Sequence, residues 1–152
     1  EQFLKIADKK KEVFDEDLEV IVENDVYKND RAIELTYFHI SSGNQMVPTA
    51  TIGLKCEDET KQEAACGDGP VDAAFNAIDR ITDMHVKLSD YQLRSVTSGK
   101  DALGEVTVKI TNNGSEITGR GASTDVIEAS IKAYLDALNR LVLRQRNYND
   151  KE

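Results

Sequence analysis

Over "PTATIGLKC", apolar and polar positions alternate with a period of two, placing Ala50, Ile52, Leu54 and Cys56 on one face. That is the period of a half-buried strand. The preceding "AIELTYFHISSG" is rich in β-branched and aromatic residues and predicts a second strand. "EDETKQ" predicts a polar turn, and "EAACG" a short strand. The spacing then changes. "GDGPVDAAFNAI" sets two glycines and a proline ahead of apolar residues at helical intervals, predicting a helix over residues 71–83.

The second half repeats this order of strand, strand, strand, helix. "LTYFHISSG" lies against "YQLRSVTSG", and "TATIGLKC" matches "LGEVTVKI", with Ile52, Leu54 and Lys55 facing Val106, Val108 and Lys109. "TNNG" predicts a tight hairpin, and "EITGRG" answers "EAACGDG" ahead of a helix over residues 124–143. The predicted fold class is α+β: a duplicated βββα unit, two antiparallel three-stranded sheets with two helices related by a pseudo-twofold. Neither unit alone has enough apolar surface to close a core, so the two are expected to pack with the helices between the sheets. Residues 2–24 predict a preceding helical segment, since "DEDLEVIVEND" offers an Asp cap with acids in the first turn.

Charge and chemistry narrow the partners. The chain carries a formal net charge of −9, which disfavours a nucleic-acid backbone or an anionic membrane. No apolar run approaches the roughly 20 residues that span a bilayer. "EQFLKIADKKKEVF" is charged throughout, so no secretory signal is expected and a cytoplasmic location is. The chain opens on Glu1 without an initiator Met and is expected to be a piece of something longer. Cys56 and Cys66 are its two cysteines and His39 and His85 its two histidines, with neither zinc nor metalloprotease spacing. The two thiols read as buried small side chains, with a bridge across a hairpin as the alternative. No nucleophile motif marks any serine, so no catalytic residue is assigned.

The glycines ahead of each helix admit three readings. They are a phosphate cradle at a helix N-terminus, a tight turn requiring positive φ with Pro70 at the first helical position, or a site for the carboxylate of an amino acid. The dinucleotide and P-loop spacings are not met.

"ADKKKEVFDEDLE", "GDGPVDAAFNAI", "VTSGKDALGEVTVKI" and "GRGASTDVIEASIKAYLDALNRL" together resemble the C-terminal regulatory domain of 2-isopropylmalate synthases. That domain is shared in outline with the (R)-citramalate synthases. The resemblance implies a paired βββα domain that binds the pathway end product, leucine or isoleucine, and inhibits a remote (β/α)₈ barrel. That barrel condenses acetyl-CoA with a 2-oxo acid using a divalent metal; no metal or other cofactor is expected in this domain. By motif position, the resemblance places the effector near a homodimer interface. It would be lined by Val71 and Asp72 at the first helix start, Leu88, Tyr91 and Ser95 on the next strand, Ala102 and Gly104 in "GKDALGE", and Ala122 and Thr124 beyond. Gly67, Gly69 and Pro70, and Gly119 and Gly121, would be the two helix N-terminal turns.

Val71, Leu88 and Ala102 would supply the apolar wall, the helix starts donors for a carboxylate, and Asp72 or carbonyls acceptors for an ammonium. The plainer readings stay open beside these. Val71 and Leu88 also fit a core, Asp72 and Asp125 a helix-dipole role, Tyr91 a strand residue with its hydroxyl in water, and Asp101 a turn.

The organisation expected is a helical segment over 1–28, a regulatory domain over 29–147 with units about 31–86 and 88–147, and a tail over 148–152. The function expected is leucine-responsive regulation, with the catalytic barrel of the same polypeptide as partner and the whole protein an acyltransferase. Isoleucine sensing or a purely structural dimerisation module are the alternatives. If Gly121 belongs to a ligand-facing turn, Gly121→Ala should abolish effector binding and leave the strands folded.

Overall fold

In the computed structural model, residues 31–96 and 102–150 are described. The helical reading of residues 2–24, the end of the strand expected to reach Gly99, and Asp101 lie outside them. Six strands and two helices follow in the order β1 (Ile33–Gly43), β2 (Met46–Cys56), β3 (Glu59–Cys66), α1 (Pro70–Thr82), β4 (Lys87–Ser95), β5 (Gly104–Asn112), β6 (Ser115–Ser123) and α2 (Val126–Asp150). They form two antiparallel sheets, β1-β2-β3 and β4-β5-β6. The α+β fold with a duplicated βββα unit is therefore present.

Helix α1 packs on β2 and β3 and helix α2 on β5 and β6, while the helices touch each other and α2 reaches across to β1. The alternation along β2 explains why: Ala50, Ile52 and Leu54 are buried on the helix side, as are Val106, Val108 and Ile110 along β5. Each buried branched side chain withholds roughly 1.5–3 kcal/mol worth of apolar surface from water. Phe75 of α1 stacks on Tyr134 of α2 with ring centroids 4.2 Å apart, and the Tyr134 hydroxyl donates to Asp79 Oδ1 at 2.5 Å. Burial pushes the Asp79 carboxyl up, and burial with the neighbouring Asp79 pushes the Tyr134 phenol above its ordinary range.

A phenol raised in the folded state contributes stability that is complete below the unfolded tyrosine value near 10 and lost as pH rises beyond it. Tyr134→Phe should therefore cost about 1–2 kcal/mol at neutral pH through the lost hydrogen bond. It should also make the alkaline fall in stability shallower. Urea midpoints measured from pH 7 to 11 check both; an equally steep alkaline fall in the variant would exclude Tyr134 as its source.

Several sequence expectations need correction. Strand β3 begins at Glu59, inside the stretch expected to be a turn, and the turn itself is at Glu57 and Asp58. Residues 59–64 are all exposed, so this edge strand lacks the buried face that would give it a period of two. Helix α2 continues past Leu143 to Asp150. No glycine or proline stops it, and Arg146 Nη2 pairs with Glu57 at 3.0 Å, holding the last turns to the first unit. Cys56 pairs with Glu59 and Cys66 with Thr49, at opposite ends of β2, so the alternative of a bridge falls; the reading of two buried thiols falls too, because Cys66 ends an edge strand and is exposed while Cys56 is half-buried. At about 3.3 Å per residue the two lie far beyond disulfide reach.

The repeat also slips. Leu35 and Tyr91 are equivalent, opposite Leu54 and Val108, but Thr36 bulges out of β1 without a partner. Beyond it Phe38, opposite Ile52, is equivalent to Leu93, opposite Val106, one residue off the "LTYFHISSG"/"YQLRSVTSG" match. The larger correction concerns Gly119 and Gly121. They are not a helix-start turn; they lie within β6, opposite Val108 and Val106, where β3 carries Lys61 and Glu63. A Cβ on Gly119 would run into the Ala133 carbonyl and lie 2.5 Å from Ala137 N, and one on Gly121 would lie 2.5 Å from Ala129 O. The stripe of Ala129, Ala133 and Ala137 on α2 thus rests directly on bare strand backbone. Nor does the Gly67–Gly69 turn need positive φ. Gly69 is the extended N-cap of α1 at φ −159°, with Pro70 first in the helix as expected. Among the described glycines only Gly114, in the Asn-Gly hairpin, has positive φ.

Candidate functional site

The two sheets differ most at the end where each helix begins. In the first sheet, Ile40, Ala50 and Ala65 form one row across three strands, and Ala50 and Ala65 are buried beneath α1. The equivalent row of the second sheet is Ser95, Gly104 and Ser123. Ser95 stands where the first sheet has Ile40, and Gly104 and Ser123 where it has alanines, so the row as a whole carries less side chain and forms a shallow notch. Its walls are Leu93, whose Cδ1 lies 3.5 Å from the position of a Cβ on Gly104, and Val126, whose Cγ2 lies at 3.8 Å. Leu93, Val96 and Val126 are 51%, 39% and 39% exposed, an apolar rim open to water.

Electrostatics at the notch come from the start of α2. Asp125 Oδ1 accepts the Ile127 amide at 2.9 Å, and the Asp125 amide donates to Ser123 Oγ at 3.1 Å. Ser123 Oγ donates to Glu128 Oε2 at 3.1 Å, and with Lys132 and Ser123 bonded to it the Glu128 carboxyl sits below its usual range. Asp72 likewise turns back to accept the Asp68 amide at 2.8 Å. The start of α2 is thus partly satisfied by the Asp125 carboxylate, whereas α1 has no side-chain cap and Asp72 holds the Asp68 amide ahead of the helix instead.

Of the residues named from sequence, Ser95, Ala102, Gly104 and Thr124 cluster at this end of the second sheet. Ala122 is close along the chain but pairs with Glu105, on the opposite face from Gly104. Tyr91 lies inward, and its hydroxyl, expected in water, bonds Ser130 Oγ at 2.7 Å; Ser130 in turn donates to Val126 O at 2.8 Å. Leu88 is at the far end of β4, opposite Ile110 and 40% exposed, so it is not core. Val71 packs at the edge of the core, and Asp72 is exposed beside it, on a helix that packs against none of β4, β5 and β6.

Leu93, Val96, Ser123 and Val126 escaped the sequence reading. The signal for Leu93 was its place two residues after Tyr91, on the inward face. Two broader hollows lie elsewhere. One of about 660 Å³ covers the polar outer face around Thr107 and Arg120, and one of about 380 Å³ lies beside Ile33, Cys56 and Val142. None of the candidate effector residues lines either.

Among the described residues no group of three or more His, Cys, Asp or Glu is placed to hold a metal ion. No described helix is long and apolar enough to cross a membrane.

The described fold is a duplicated βββα module in which each three-stranded sheet is covered by its own helix and the two helices meet. The chain belongs to the LeuA allosteric (dimerisation) domain family, whose model matches residues 12–142. It is 51% identical over 143 residues to a 2-isopropylmalate synthase of Pelotomaculum thermopropionicum, covering 93% of this chain and 28% of that protein. It is 49% identical over 152 residues to the 2-isopropylmalate synthase of Carboxydothermus hydrogenoformans, covering 99% of this chain and 30% of the relative. A third, from Ruminiclostridium cellulolyticum, is 50% identical over 141 residues, or 93% and 28% of the two chains. The chain thus spans less than a third of these curated relatives.

Proposed function

We propose that this chain is the regulatory domain of a 2-isopropylmalate synthase and binds L-leucine to inhibit the condensation of acetyl-CoA with 2-oxoisovalerate. The catalytic barrel, with its divalent metal, would lie in the rest of that polypeptide, and the domain would act as a homodimer. The observation that carries the reading is the family match across residues 12–142. The notch supports it. Exposed Leu93 and Val126 offer an apolar surface for a branched aliphatic group, while Asp125 and Glu128 offer acceptors for an ammonium.

A melting scan against the branched-chain amino acids tests the reading. A ligand that binds only the native state at one hundred times its Kd adds about 2.7 kcal/mol, or roughly 5–10 °C in Tm for a chain of this size. Leucine should give the largest shift. A larger shift with isoleucine would reassign the effector and favour a citramalate-type domain. No shift with leucine, isoleucine or valine would overturn effector binding.

A further inference from the structure

Four strands stand at sheet edges, and helix side chains guard three of them. On β3, Asn76 Nδ2 donates to Cys66 O at 3.0 Å and Arg80 Nη1 to Ala64 O at 2.7 Å. On β6, the Arg120 amide donates to Asp136 Oδ2 at 2.9 Å. On β1, Asn139 exchanges two hydrogen bonds of 2.8 Å with Ile33. Over residues 87–94 of β4 no helix side chain among the described residues bonds the backbone. An edge with unpaired N–H and C=O groups is a template for another strand.

The side chains of β4 also say which strand fits. Tyr91 and Leu93 oppose Val108 and Val106, on the helix side, and Asp90 and Arg94 oppose Lys109 and Glu105, on the outer side. If an antiparallel copy of β4 is set with Gln92 on the twofold axis, Tyr91 meets Leu93 of the partner subunit on one face. Asp90 then meets Arg94 of the partner subunit on the other. Every pair occurs twice, as a self-complementary contact requires. The Arg94 side chain is 72% exposed with Glu105 as its neighbour, so one side of its guanidinium remains available. Strand β1 offers no such register: Glu34 is its one acid and it has no lysine or arginine, whereas the bulge of β4 at Ser89 lies outside residues 90–94.

We infer that β4 pairs antiparallel with β4 of a second copy, centred on Gln92, joining two three-stranded sheets into one of six strands. The family description names dimerisation but no surface. The inference is independent of the leucine reading, since a dimer that ignored leucine would leave it standing.

Sedimentation of the full chain tests it. Asp90→Arg turns two attractive cross-strand pairs into two repulsive ones and should weaken the dimer roughly thirtyfold. The double variant Asp90→Arg with Arg94→Asp reverses both charges and should restore most of that affinity. Arg94 is exposed and Asp90 half-buried on the outer face, and circular dichroism checks that each variant folds. In a background of Cys56→Ser and Cys66→Ser, Gln92→Cys should form an intermolecular disulfide on mild oxidation, because residues on the axis face each other at about 4.5–5.5 Å between Cα atoms. A wild-type chain that is monomeric at tens of micromolar overturns the inference. So does a dimer indifferent to Asp90→Arg, or one in which Gln92→Cys fails to cross-link.

Discussion

Gly119→Ala should lose at least about 3 kcal/mol of stability, seen as a fall of roughly 10 °C in Tm, although it adds a single methyl group. The new Cβ would collide with the Ala133 carbonyl and lie 2.5 Å from Ala137 N. Backbone atoms on both sides cannot step aside as a side-chain tip would. Relief requires α2 to lift from β6 along the stripe of Ala129, Ala133 and Ala137, opening the dense packing of the second unit. Gly121→Ala, which meets Ala129 O and Ala133 N at 2.5 and 2.6 Å, should behave in the same way. This replaces the expectation that Gly121→Ala blocks effector while sparing the fold. Gly104→Ala is the control: its Cβ would meet nothing closer than 3.5 Å, so stability should change by less than about 1 kcal/mol. Equal losses in Gly119→Ala and Gly104→Ala would show that helix contact is not the cause.

Replacing Asn139 by leucine should cost about 3 kcal/mol, the second largest loss expected. Asn139 is 4% exposed and serves the first residue of β1 from 106 positions away. Its Oδ1 accepts the Ile33 amide and its Nδ2 donates to Ile33 O, each at 2.8 Å, with a further donation to Leu135 O at 3.0 Å. The carboxamide thus stands in for a neighbouring strand at a buried edge. Leucine has nearly the same volume but leaves both Ile33 groups without partners away from water, at about 1–3 kcal/mol each. The damage should be local before it is global, with amide exchange rising first at Ile33 and Leu35. Unchanged protection at those amides in Asn139→Leu would mean that water replaces the carboxamide without cost.

Much of the fold is legible in the chain because local periods and burial agree. The alternation of Ala50, Ile52 and Leu54, its counterpart Val106, Val108 and Ile110, and the apolar spacing after Pro70 need no tertiary information. The duplication follows from matching those patterns. Strand β3 was legible only in part, because an edge strand exposed on both faces has no reason to alternate. The bulge at Thr36 was invisible because inserting an unpaired residue changes register without changing composition.

The candidate site was less legible, for a different reason. Motif position alone brings Ser95, Ala102, Gly104 and Thr124 to one place. A notch, however, is defined by what its neighbours lack, and the contrast between Ser95, Gly104, Ser123 and their counterparts Ile40, Ala50, Ala65 exists only once strands are in register. The same holds for glycine. In one dimension "GDG" and "GRG" look alike, both ahead of a helix. Period, pairing and helix starts are properties of residues close in the chain, so composition and spacing specify them. Whether a glycine frees a turn or admits a helix depends on atoms many residues away. The packing of α2 onto β6 made Gly119 and Gly121 contact surfaces, while in the first turn Gly67 lies against the backbone of Ala73 and Gly69 is an open cap.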